Sequence, residues 1–278
     1  MSRYSWGADE HLFVELAEEM SLRANFRAMA IATKLGERRP DGLLDICPAN
    51  ASYQVRFDPD RLAPAELEAL LRAVDEEVGE AHGFTLDTRV VEVPVLYDDP
   101  WTNETQARFR DRHQDPESTD LEYAARINGF AGKQEFIAAH AGAPWFASMV
   151  GFVAGLPFLY QMVERERQLE VPKYVRPRTD TPALTIGHGG CFGCIYSVRG
   201  AGGYQMFGIT PLPIYEPAQG EVFFRTGDIV RFRPIAREEY DALQGEPHAP
   251  RFAETSFSLE EFEADPDGYN ARLLEVLG

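Results

Sequence analysis

Hydrophobic positions fall into two patterns along the chain. Up to about residue 88 they alternate between short apolar runs and helix-spaced stripes. HLFVEL is a short strand-like run from His11 to Leu16. In LRANFRAMAIATKL, Leu22, Phe26, Met29 and Ala30 share one helical face; Ser21 is placed to cap its start and Gly36 to stop it. GLLDICPA and SYQVRF then read as two strands joined by a turn near Asn50. DPDRLAPAELEALLRAVDEEV has Pro64 near its start and turns Leu67, Leu70, Leu71 and Val74 inward. The order β-α-β-β-α predicts a small α+β sandwich.

A boundary is expected within residues 83–90, after which VVEVPVLY alternates as a strand. DDPWTNETQARFRDRHQDPEST is polar and punctuated by proline, the pattern of a surface insertion. Two short helices follow, in STDLEYAARINGF and KQEFIAAHAG, with Ser118 or Thr119 capping the first. From Met149 to Ile235, glycine and proline are frequent and no helical period persists, which predicts an all-β barrel or sandwich. FRTGDIVRFRPI reads as a hairpin, its turn shaped by Asp228. The segment from Arg237 to Gly278 holds eleven acidic and three basic residues, and Ser258 with Glu261 forms a capping-box pattern for a terminal helix. The divisions expected are residues 1–88, 89–240 and an acidic extension over 241–278.

Composition narrows the function classes. The 278 residues carry a net charge of −18, which argues against a nucleic-acid partner or an anionic membrane surface. No Asp, Glu, Lys or Arg occurs from Phe136 to Val163, long enough to span a bilayer. His140, Pro144, Pro157 and Gln161 interrupt that stretch, so a buried core of turns and strands is expected instead. Three cysteines are too few for a disulfide scaffold, and MSRYSWGADEHLF has no signal-peptide form; the expected location is cytoplasmic.

The densest chemistry lies in TIGHGGCFGCIYSVRGAGGYQMFGITP, from Thr185 to Pro211. It joins His188, a Cys191-x-x-Cys194 pair and eight glycines. One such pair cannot close a tetrahedral zinc site, so no metal is expected. The β context opposes a thioredoxin-like redox pair, and the glycines neither open a helix nor end in Gly-Lys-Ser/Thr as a phosphate loop does. What remains is a pocket lining or inert packing. Arg178 stands in a basic patch within an acidic protein and suits a carboxylate or phosphate. Gln205 is a candidate amide partner, and Phe152, Tyr196 and Tyr204 are candidate walls for a flat substrate, or core.

Several spaced segments resemble one family. GFVAGLPFL (Gly151–Leu159), PRTDTP (Pro177–Pro182), GGYQMFGITPLPIYEP (Gly202–Pro217) and TGDIVRFRPI occur in the order of the motifs of allophanate hydrolase subunit 1. That family includes the B subunit of ATP-dependent 5-oxoprolinase, a sporulation-kinase inhibitor and a carboxyltransferase domain of urea carboxylase. The resemblance covers Tyr4 to Leu243. It implies a ferredoxin-like N-terminal domain followed by a cyclophilin-like β-barrel domain. It also implies a two-subunit, ATP-dependent lactam- or amide-processing enzyme, with a homologous partner subunit, ATP and magnesium in the complex, and no biotin attachment site in this chain. A protein-binding regulator, such as a histidine-kinase inhibitor, shares the same motifs. The family's glycine loop lies beside its cleft, which implies His188 and Cys191 as catalytic candidates. It adds Phe152, Arg178, Tyr196, Tyr204 and Gln205 for substrate, with His188 and Arg178 expected to face one cavity. The chain departs from the family where Phe192 and Gly193 replace a Gln-Thr pair, His188 an Ile, Cys194 a Gly, Ala154 a Pro and Ile209 an Arg. These changes point to an altered substrate.

Overall fold

A computed structural model describes residues 2–245 and 250–278. The chain divides into two compact units, Met1–Leu86 with Phe257–Ala264, and Asp87–Ser256 with Asp265–Gly278.

In the first unit, β1 (Arg3–Gly7) and β2 (His11–Glu15) precede helix α1 (Leu22–Arg38), then β3 (Leu43–Ala49), β4 (Ser52–Phe57) and helix α2 (Pro64–Val78). The strands form one antiparallel sheet in the order β1-β2-β4-β3. Ser21 caps α1 by accepting from the Ala24 amide, and Pro64 occupies the first turn of α2. Gly36 does not stop α1, which continues to Arg38. A single interior glycine costs only ~1 kcal/mol, and burial of Ile31 and Leu35 outweighs it. A β-α-β-β-α-β sheet would end in a strand after α2; here β1 holds that edge beside β2. Its polar sequence, RYSWG, hid it from the hydrophobic pattern. Leu12, Val14, Tyr53, Val55, Leu67 and Leu71 fill the core between sheet and helices.

The second unit starts with the long strand β5 (Thr85–Tyr97), then helices α3 (Pro100–Arg108), α4 (Asp120–Ile127) and α5 (Lys133–Gly142). The supposed surface insertion is therefore partly a helix. Asp99 caps α3 and Thr102, Thr105 and Gln106 are buried along it, so its inward face is polar and invisible to a hydrophobic periodicity. Thr119 and Glu122 form the capping box of α4.

Next come β6 (Trp145–Val150), β7 (Pro157–Gln161), β8 (Arg178–Thr181), β9 (Thr185–Gly189), β10 (Phe192–Ile195), β11 (Gly200–Gly202), β12 (Gln205–Ile209), β13 (Tyr215–Glu216), β14 (Glu221–Val222) and β15 (Ile229–Pro234). The last elements are α6 (Arg237–Gly245), β16 (Phe252–Ser258), α7 (Leu259–Ala264) and α8 (Pro266–Glu275). Eight strands form one sheet in the order β12-β9-β10-β7-β6-β15-β5-β16, and β12 also pairs with β5, so the strand order returns on itself. Trp145, Leu159, Ile186, Phe207 and Phe232 are buried inside it. The expected hairpin at Thr-Gly-Asp is absent: β15 pairs in parallel with β5 and antiparallel with β6. Asp228 still shapes the turn by accepting from the Arg225 amide at 2.8 Å. No helix among the described residues is long and apolar enough to cross a membrane.

Candidate functional site

Strand β9 decides what the glycine-rich stretch does. Alternate residues of a strand point to opposite faces. Ile186 and His188 turn inward: the His188 ring centroid lies 5.5 Å from that of Trp145 and 5.9 Å from that of Phe207. Gly187 and Gly189 face the other way. A Cβ at 187 would sit 2.8 Å from the Tyr196 ring, and one at 189 only 2.4 Å from the Tyr204 ring. The glycines therefore admit two tyrosines against the strand. The space they free is filled by aromatic rings, and those rings wall a cavity of about 340 Å³.

The cavity gathers Phe152, Phe158, Tyr196 and Tyr204 with Lys173 and Cys194. Its four aromatic rings suit a planar group, and the Lys173 ammonium stands 5.1 Å from the Tyr204 ring centre. Phe152 is 80% exposed and held at φ +71°, a conformation costly for a side chain with a Cβ.

Arg178, at the start of β8, is fully buried. Its Nη2 donates to Thr181 Oγ1 at 3.3 Å and its guanidinium lies 4.4 Å from the Tyr174 ring centre, while Nε and Nη1 have no hydrogen-bond partner. Behind it lies a polar network that the sequence did not reveal. Asp120 accepts from the Tyr174 hydroxyl at 2.7 Å, from the Met206 amide at 2.7 Å and from Arg110. Burial pushes the Asp120 carboxyl upward and these donors pull it back. His113 Nε2 lies 3.7 Å from Asp120 Oδ1 and 2.8 Å from Gln205 Oε1. Asp120, His113 and Gln106 lie in or beside the segment read as a surface insertion, and the Thr119–Glu122 box was the only local signal there.

The other expected site residues stand elsewhere. Gln205 is buried and committed, donating to the Pro172 carbonyl at 2.8 Å as well as meeting His113. Neither His188 nor Arg178 is in the lining of the aromatic cavity, and both are fully buried. His188 Nε2 lies 3.1 Å from the carbonyls of both Leu169 and Gly190, and burial lowers its pKa to about 4. Strand alternation, which turns it into the core, is the reason. Cys191 is half-buried in the turn between β9 and β10, and burial pushes its thiol up, away from the nucleophilic thiolate. Among the described residues no group of three or more metal-ligating side chains converges. Nor do the glycines cradle a phosphate, since Gly187 and Gly189 back onto tyrosine rings and open no helix. The glycines of β9 therefore do not form a phosphate loop.

Comparison with known proteins agrees with the motif order. Residues 2–224 match the family model described as carboxyltransferase domain, subdomain C and D. The 5-oxoprolinase B subunit of Bacillus subtilis (strain 168) is 28% identical over 248 residues, covering 86% of this chain and 95% of that protein. The protein of the same name from Escherichia coli O157:H7 is 28% identical over 222 residues, covering 80% of this chain and 90% of its own length. Among solved structures, the K. lactis urea amidolyase superposes with a TM-score of 0.83 at 19% identity. It covers 99% of this chain, which spans 17% of that longer one, and the likeness speaks for the fold.

Proposed function

Because the chain belongs to the carboxyltransferase domain, subdomain C and D, family, we propose that it is one subunit of an ATP-dependent enzyme that processes a lactam or amide with a second, homologous subunit. The observation that carries the reading is the near end-to-end match to two 5-oxoprolinase B subunits. ATP with magnesium supplies the activation of a poorly electrophilic amide in the assembled complex, and no residue of this chain is assigned to it.

In this reading the aromatic cavity binds the substrate. Tyr196 and Tyr204 hold a planar amide or ring and Phe152 borders its mouth. Lys173, in the cavity wall, attracts an anionic group of the substrate, and the buried guanidinium of Arg178, next in sequence to the lining residue Pro177, adds positive charge from behind that wall. His188 and Gln205 shape the sheet behind the cavity, and Cys191 stays outside the chemistry.

The test is reconstitution. The chain is co-expressed with a candidate homologous subunit from the same genome, and ATP hydrolysis is measured against lactams, amides and ureas. The expected result is a stable complex with substrate-stimulated turnover, lowered about tenfold in kcat/KM by Tyr204→Ala, the value of one aromatic wall contact. No complex and no stimulated turnover across the panel would overturn the reading.

A further inference from the structure

A second cavity, of about 720 Å³, lies elsewhere in the second unit and is larger than the aromatic one. Part of its wall is α8, which supplies Asp267, Asn270, Ala271 and Leu274. That helix lies beyond residues 2–224, the part that matches the family model. Ligand cavities usually measure about 300–1,000 Å³ and combine an apolar body with a few polar groups. Here Phe130, Leu169 and Leu274 supply apolar surface.

The polar groups define what fits. Each carboxamide nitrogen of the lining donates to at least one main-chain carbonyl: Asn128 to Ala124 and Glu170, Gln161 to Ala139, Gln168 to Gln161, and Asn270 to Met162. Acceptors are left over. Asn270 is 7% exposed and its Oδ1 has no hydrogen-bond partner. Glu166 has no ion-pair partner among the described residues, while Arg167, the one basic lining residue, is bound to Asp267 and Glu164. A spare buried acceptor and an unpaired carboxylate beside apolar surface select a ligand that brings N–H groups and positive charge.

We propose that this cavity, walled in part by the C-terminal helix α8, is a binding site for a small organic cation: a primary amine or guanidine carrying an aromatic or aliphatic body. The ammonium sits between Glu166 and the Asn270 carbonyl oxygen, and the body lies along Phe130 and Leu274.

Binding of three matched probes to the whole chain tests the proposal by calorimetry, with thermal unfolding in parallel: 2-phenylethylamine, 2-phenylethanol and 3-phenylpropionate. The amine is expected to bind and to raise Tm, the alcohol to bind more weakly and the carboxylate not at all. Glu166→Gln, an exposed substitution that leaves the core untouched, weakens amine binding about tenfold, the value of one charge-assisted hydrogen bond. Leu274→Trp fills the cavity and abolishes it. Absence of amine binding, equal binding of the carboxylate, or amine binding unchanged in both variants would overturn the proposal. None of these outcomes depends on turnover, so this test and the reconstitution fail independently.

Discussion

Two arginines of the second unit are buried, and their surroundings differ. Arg89 on β5 is 8% exposed and meets Asp228 through two parallel bonds of 2.9 Å, Nε to Oδ1 and Nη2 to Oδ2. It adds a bond to the Phe223 carbonyl and lies over the Phe223 ring. Arg178 has Thr181, a tyrosine face, and two nitrogens with nothing to donate to. The first arginine is satisfied by the fold and ties the Asp228 turn to β5. The second retains donor capacity that the fold does not use, next to an aromatic cavity. Buried polar groups are nearly always paired, so the leftover donors set Arg178 apart from Arg89 and make it the proposed recognition residue of the two.

Breaking the satisfied pair should give the largest effect. Asp228→Ala strands a buried guanidinium and removes the acceptor of the Arg225 amide. The expected loss is ~3–5 kcal/mol of stability, read from the urea midpoint. A loss below ~1 kcal/mol would show that the bidentate geometry does not mark a structural arginine.

A smaller effect comes from histidines buried without full partners. His188 Nδ1 and His140 Nε2 both lack a hydrogen-bond partner, and burial lowers both pKa values, that of His188 to about 4. Unfolded histidine titrates near 6.5. As pH falls below that value the unfolded chain takes up protons that the folded chain refuses until about pH 4. The stability His188 contributes is thus complete above about pH 6.5, falls towards pH 4 and is level below it. The difference is on the order of 3 kcal/mol. Denaturant titrations from pH 7 to pH 4 should show a shallower decline in His188→Phe than in the unaltered chain. Parallel curves would mean that His188 is charged in the folded state.

The hydrophobic pattern revealed the first unit better than the second, and the reason is physical. Helix α2 and the β3–β4 hairpin alternate apolar and polar residues because one face of each meets a core and the other meets water. Helix α3 and Asp120 bury polar groups by pairing them with one another, and no hydrophobic period reports that. In the candidate site, Tyr196, Tyr204 and Phe152 were identifiable as aromatic walls. His188 drew notice as a titratable group among glycines, but the side of β9 it occupies depends on register, which only the folded sheet fixes. Strand β16 was hidden by its acidic neighbourhood.

The glycines of β9 sharpen the same point. Gly189→Ala places a methyl 2.4 Å from the Tyr204 ring, which must rotate into the cavity. Overpacking of this kind costs ~1–3 kcal/mol, and substrate affinity of the reconstituted complex should fall with it. The pairing of Gly189 with Phe192 across β9 and β10 leaves the strand itself intact. Stability lost without any change in affinity would separate Tyr204 from the binding surface.

The smallest expected change in stability is at Arg178. Arg178→Met keeps most of the stem volume, removes a buried charge whose Nε and Nη1 have no partners, and leaves Thr181 and Tyr174 in place. Replacing a buried charge by an apolar group of similar size is often neutral. The Tyr174–Asp120 bond at 2.7 Å does not involve the guanidinium, and Arg110 remains as the counter-charge of Asp120. Stability should therefore stay within ~1 kcal/mol of the unaltered chain, while kcat/KM of the reconstituted complex falls more for carboxylated substrates than for neutral ones. The contrast with Asp228→Ala is what gives the measurement meaning. If Arg178→Met loses as much stability as the broken Arg89 pair, the two arginines play the same part, and the spare donors are no guide to the binding site.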